Sequence, residues 1–227
     1  MSLISRPFRN ELFIHDPDKF VDLWNSVIEA VDKANHTLHH EKLLEVLYTA
    51  EMSFACSYDL YKNSARKTPG TFFEILIGSF ISALSGIRCG KQIKLPAGEK
   101  VPTDIYIEMR NDQPSIVIPT KITTRDRVIQ PWVHQLILDK VYGTGSYKTL
   151  LVCVSETQRN KDVGVNEICV PSQINMYQQY LAKLEGIFYM DPPIGYLNAS
   201  FNQPPDVHLP IRTISQLLGE DLALLIG

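Results

Sequence analysis

The chain has 227 residues, 44% hydrophobic and 21% charged, a balance that excludes disordered and fibrous classes and leaves ample material for a core. The formal net charge of −3 argues against a protein that coats nucleic acid indiscriminately. No apolar run approaches the roughly 20 residues that cross a bilayer, and the first residues, MSLISRPFRNELF, lack a secretory signal, so a soluble, cytoplasmic protein with no membrane partner is expected.

Asp16-Pro17 is a helix start, a capping residue followed by proline at the first helical position. Phe20, Leu23, Trp24, Val27, Ile28 and Val31 follow at helical spacing. A second helix is predicted from about His39 to Tyr61. After a basic loop carrying Lys62, Arg66 and Lys67 and a Pro69-Gly70 turn, a third covers about Thr71 to Leu84. That helix is apolar nearly all round, which predicts a central position.

From Lys91 the period changes. Residues 92–95, 103–109 and 115–119 read as short strands, with turns at 96–98 and 111–114. A helix is predicted over about 127–141, then Thr149 to Val154 as a strand buried on both faces. Cys153 lies within that run and reads as a small buried hydrophobe; the four cysteines show no CxxC spacing. A strand over 166–171, a helix over 172–184, a strand over 186–190 and a last helix over 214–225 complete an α/β core with a helical N-terminal third.

One polar cluster within that core can carry chemistry. Thr103-Asp104 opens one strand and Thr120-Lys121 ends the next, so adjacent antiparallel strands can set Asp104 beside Lys121. A metal-dependent phosphodiesterase needs a carboxylate for a hard Mg²⁺ ion and a lysine near the water and the scissile phosphate. An Asp and a Lys on neighbouring strands are also, and more commonly, a solvated surface pair. Arg125-Asp126-Arg127 follows, a triplet suited to adjacent G·C pairs, with Arg on guanine and carboxylate on cytosine. Taken alone, it could equally be a charged helix start. Arg88–Arg127 carries eight Lys/Arg against five Asp/Glu, a local excess of +3, so a polyanion would be met in mid-chain.

The order Pro-Thr-Asp104, Pro-Thr-Lys121, Arg125-Asp126-Arg127 resembles the PD-(D/E)xK type II restriction endonucleases. It looks most like the subgroup cutting CCGG, CCNGG or CCWGG sites, to which EcoRII, PspGI and NgoMIV belong; there the acidic residue two before the lysine is absent, as at Pro119 here. The resemblance covers about residues 71–155. It implies a restriction-endonuclease-like α/β core (helix, mixed central sheet, helices on both faces) over 71–227, with a helical region over 1–70 packed on it. It also implies Mg²⁺-dependent cleavage of duplex DNA by a homodimer, and a cognate DNA methyltransferase as functional partner.

By the same resemblance, Asp104 binds metal, Lys121 is catalytic, and Arg125, Asp126 and Arg127 read bases. The family often adds a glutamate from the helix before the sheet, here Glu74, which equally fits a capping box begun at Thr71. The subgroup's second metal-binding glutamate falls thirteen or fourteen residues after the lysine, where this chain has His134 and Gln135. Gln135 is the candidate ligand there; Glu74 or Glu108 could compensate for the missing charge, or activity could be lost. The rival readings are a shape-reading repair nuclease of the same fold and a DNA-binding protein without catalysis.

Overall fold

The computed structural model describes residues 9–32, 40–61, 67–109, 113–123, 128–159, 165–167, 170–193, 196 and 211–221. Three helices come first: α1 (Pro17–Asp32), α2 (His40–Tyr61) and α3 (Thr68–Ser85). Asp16 starts α1 as its sequence implies. Its Oδ1 accepts from the N–H of Asp18 at 3.0 Å and of Lys19 at 3.3 Å, satisfying donors that a helix start leaves unbonded.

Helix α3 departs from expectation in two ways. Pro69 and Gly70 are its first turn and not a turn before it, because a missing N–H costs nothing there. Nor is α3 buried all round: Phe73, Leu76, Ile77, Phe80 and Ile81 form one stripe, while Ile75 is 56% exposed. By length and composition alone this helix could cross a membrane. Its apolar side is instead taken up by its neighbours. Phe80 meets Trp24 of α1 edge-on at 6.0 Å between ring centroids, and Phe72 stacks on Phe54 of α2 at 4.0 Å.

Those contacts assign α3 to the helices, in a first compact unit whose opening segment runs to Ile87. The chain returns to this unit near its end with α6 (Ile214–Gln216) and a π-helical turn, Leu217–Asp221, in place of a single regular helix. Thr213 caps α6 in a reciprocal box with Gln216.

The second unit is built on a mixed sheet. Its strands are β1 (Gly90–Lys94), β2 (Lys100–Ile107), β3 (Ser115–Ile118), β4 (Thr120–Lys121), β5 (Tyr147–Cys153), β8 (Gly186–Tyr189) and β9 (Ile211–Thr213). The order is β1-β2-β3-β5-β8-β9, with β4 paired to β5. β1, β2 and β3 are antiparallel neighbours, whereas β3, β4 and β8 all run parallel to β5. Two further short strands, β6 (Thr157–Arg159) and β7 (Val165–Glu167), pair separately, and all but Glu167 of them belongs to the first unit.

The helices of this unit are α4 (Gln130–Tyr142) and α5 (Pro171–Tyr180). α4 starts at Gln130 and not Arg127, which places Pro131 in its first turn. Trp132 of α4 and Ile174 of α5 share one core with Leu151, Cys153, Ile187 and Tyr189 of the sheet. The Trp132 indole N–H donates to Gln178 Oε1 at 3.1 Å, so this large ring is buried with its one polar atom satisfied. Residues 149–153 are all buried, as an apolar parallel strand demands.

One group in the helical unit is costly. Glu51 of α2 is 0% exposed, and neither carboxyl oxygen has a hydrogen-bond partner among the described residues. Burial pushes its pKa up to about 8 from an ordinary 4.5, so it is protonated in the fold at neutral pH. The unfolded chain ionises it above about pH 4.5, and the stability it contributes at low pH is lost as pH rises toward 8. Glu51→Gln should flatten this part of the pH dependence and gain a few kcal/mol on wild type by pH 8, measured by urea unfolding. A variant tracking wild type across the window would show that Glu51 ionises freely in the fold.

Candidate active site

The site begins with a broken ladder. β2 and β3 pair up to Ile105 opposite Ile118, and the next residue of β3's chain is Pro119, whose backbone faces β5. The Pro119 carbonyl accepts from Val152 of β5 at 3.0 Å. The chain then continues as β4, with Thr120 opposite Val152 and Lys121 opposite Cys153. Freed from β2, the N–H of Thr120 donates to Asp104 Oδ2 at 2.6 Å. Lys121 Nζ lies 3.7 Å from the same oxygen. The two side chains predicted to meet do meet.

Both are partly open to solvent, and a pair so exposed adds little stability. They face an open cleft lined also by Pro102, Thr103 and Pro119 from the strands and by Gln130, Pro131 and His134 from α4. The N-terminus of α4 therefore meets the cleft, where its unbonded N–H groups favour negative charge. His134 is half-buried, and its pKa is lowered by that burial and by the Lys121 ammonium, with Asp104 opposing. At neutral pH its imidazole is uncharged and can act as a nitrogen ligand or a hydrogen-bond partner.

Of the two residues replacing the expected glutamate, His134 is at the cleft and Gln135 is not. Gln135 is 2% exposed and turned to β5. Its Oε1 accepts from Thr149 Oγ1 at 2.6 Å, and its Nε2 donates to Asp139 at 2.8 Å and to the Tyr147 carbonyl at 3.0 Å. One helical step is about 100°, which is enough to turn neighbours from cleft to core. Gln135 is thus a latch between α4 and β5, and the ligand role expected of it is corrected to a structural one.

Glu74 lies on α3, in the first unit, whereas the cleft belongs to the second. Because α3 begins at Thr68, Thr71 is already inside the helix and the capping box expected for Glu74 does not form. Glu108 follows β2 at the end of the sheet near Tyr147, the first residue of β5, whereas Lys121 pairs with Cys153, the last. It cannot compensate at the cleft. Arg125, Asp126 and Arg127 lie outside the described residues, as do Lys62 and Arg66; Lys67, Arg88, Lys91 and Lys94 are exposed.

The donor set at the cleft is sparse. Among the described residues no group of three or more His, Cys, Asp or Glu side chains could hold a metal by itself. One carboxylate does fit the way Mg²⁺ is commonly held, through one or two carboxylates, waters and substrate phosphate. Sequence reasoning missed Glu156, buried just beyond β5. Its signal was its position after an apolar parallel strand, since ligands of open α/β sheets gather at the carboxyl ends of strands.

If Gln135 is a latch, Thr149→Val should lower the unfolding free energy by about 1–3 kcal/mol, because Gln135 Oε1 is left buried without its donor. Denaturant titration measures this, and an unshifted midpoint would remove the latch.

No protein-family model matches the chain, and no curated protein matches it. Two solved structures resemble it. A crystal structure of the type IIP restriction endonuclease Kpn2I is 35% identical, with 97% of this chain and 77% of that chain covered and a TM-score of 0.83. A complex of the restriction endonuclease PspGI with substrate DNA is 14% identical, covering 97% of this chain and 93% of that one at a TM-score of 0.51, a likeness of fold alone. With more than a third of its residues shared across nearly its whole length, and an Asp–Lys pair set at the break in its sheet, the chain belongs to the restriction endonuclease family of Kpn2I.

Proposed function

We propose that this protein is a type II enzyme, a Mg²⁺-dependent, sequence-specific endonuclease of duplex DNA. The observation that carries the proposal is the Asp104–Lys121 pair, 3.7 Å apart in an open cleft of a restriction-endonuclease fold. Asp104 would hold the ion, with waters and phosphate oxygens of the DNA completing its shell. When bound, Mg²⁺ supplies charge neutralisation at the phosphate and a more acidic water.

The remaining chemistry belongs to the chain. Lys121, fixed by β4, offers an ammonium to the phosphate oxygens, offsetting the charge that develops there, and orients the attacking water. Thr120 N–H holds Asp104 Oδ2 and so keeps the carboxylate turned toward Lys121. The α4 N-terminus adds a favourable field for phosphate. His134 contributes a neutral nitrogen where the subgroup has a carboxylate. Glu74 stays in the proposal only as the second carboxylate that the family resemblance offers.

Arg125, Asp126 and Arg127 would read adjacent G·C pairs in the manner of the subgroup that cuts CCGG, CCNGG or CCWGG. Symmetric cleavage of a palindrome calls for two copies of the site, hence a homodimer. A cytoplasmic setting and a cognate methyltransferase follow from the same reading, since host DNA must be protected.

The test is a digest of long duplex DNA with Mg²⁺, comparing wild type, Asp104→Ala and Lys121→Ala, with the fragment ends sequenced. Discrete fragments from wild type and a loss of at least about 100-fold in either variant are expected. A smear lost in both variants would indicate a shape-reading nuclease. No product with Mg²⁺ or Mn²⁺ would favour a protein that binds DNA without cutting it, the reading that His134 in place of a carboxylate supports.

His134→Glu restores a hard oxygen ligand at the cleft. It should lower the Mg²⁺ concentration needed for half-maximal cleavage, and a raised requirement would show that the imidazole itself is needed.

A further inference from the structure

Beyond Lys121 the pairing of β4 with β5 does not stop. Val154 N–H donates to the Lys121 carbonyl at 3.0 Å, and Ser155 N–H to the Ile122 carbonyl at 3.1 Å. At the next step the backbone bond is replaced by side chains: Thr123 Oγ1 donates to Glu156 Oε2 at 3.0 Å. On its other side Glu156 Oε1 accepts from the Tyr189 hydroxyl of β8 at 3.1 Å. β8 is itself carried on along β5, with Met190 N–H bonded to the Cys153 carbonyl and Asp191 N–H to that of Val154. Glu156, 2% exposed, therefore has each carboxyl oxygen held by a different neighbouring strand end.

A buried carboxylate is an expensive way to fill space, since an apolar side chain of similar volume is often neutral or stabilising in its place. What such a group supplies is fixed geometry. Here it fixes Thr123, two residues after Lys121 and two before Arg125. On the reading that Arg125, Asp126 and Arg127 contact bases, the register between catalysis and readout is set where the chain leaves the sheet. That place is Thr123.

We propose that Glu156 is a positioning residue for sequence readout: by holding Thr123 it sets where the arginine-bearing segment departs from the sheet relative to Lys121. This rests on the endonuclease reading and names the element that couples its two halves. The role is separable from simple core stability: of the two hydrogen bonds to Glu156 from the described residues, the one from Thr123 lies on the path to Arg125 and the one from Tyr189 does not.

The experiment uses the full chain and long duplex DNA with Mg²⁺, reading base frequencies at sequenced fragment ends together with thermal midpoints. Thr123→Val keeps the side-chain shape and removes the donor; it should raise the share of ends at sites differing by one base pair by about tenfold or more. Thr123→Ser, which restores the hydroxyl, should return the wild-type profile. Tyr189→Phe removes the other bond to the same carboxylate; it should lower the midpoint without broadening the profile. A Thr123→Val profile as sharp as wild type overturns the proposal while the endonuclease reading stands. Equal broadening by Tyr189→Phe and Thr123→Val would also overturn it, by reducing Glu156 to a packing element. Wild type giving no fragments overturns both.

Discussion

A single backbone donor that leaves the sheet ladder, the N–H of Thr120, organises the centre of this protein. The ladder between β2 and β3 ends at Ile118, and the chain passes from a strand shared by β2 and β5 to one held by β5 alone. That break leaves Thr120 N–H to find a new acceptor, and it finds the carboxylate of Asp104. A continuous β3 would use the same N–H in the sheet and leave Asp104 to solvent. The catalytic geometry proposed here is therefore the local solution to an unsatisfied backbone group, which is why carboxylate and lysine share one oxygen's surroundings.

The rest of the unit serves to hold that break in place. β5 is the common partner of β3, β4 and β8, and its burial on both faces makes it a rigid reference for all three. The Gln135–Thr149 bond and the Trp132–Gln178 bond tie α4 to β5 and to α5, so that His134 is presented to the cleft from a fixed helix. Polar groups are buried at each of these points, and each is satisfied by a named partner. Glu51 of the helical unit is the contrast: an acid buried without hydrogen bonds among the described residues, kept neutral by its surroundings.

Much of this was legible in the sequence because it is local. The Asp16 cap, the apolar run at 149–154 and the strand–turn–strand of 103–119 depend on neighbours a few residues away. So does the approach of Asp104 to Lys121, since a short connection between antiparallel strands leaves few alternatives. The errors were equally physical. Pro69-Gly70 reads as a turn, yet Pro69 opens a helix, and the apolar surround of α3 predicts a central position although Ile75 is exposed. The two candidates after the lysine, His134 and Gln135, could not be ranked from spacing, because one residue along a helix separates cleft from core.

Residue identities set the chemistry available: one carboxylate and one lysine at strand ends, an arginine-rich segment close behind, and no second metal-binding glutamate in the expected place. Residue identity and short-range pairing are enough for that. Which polar groups reach the cleft and which become supports depends on packing between distant segments. Gln135 is spent on β5, Glu74 lies in the helical unit, and Glu156 joins two strands brought together from residues far apart in the chain. Such assignments depend on helix rotation and on parallel pairing across long connections, and neither leaves a periodic trace in the sequence.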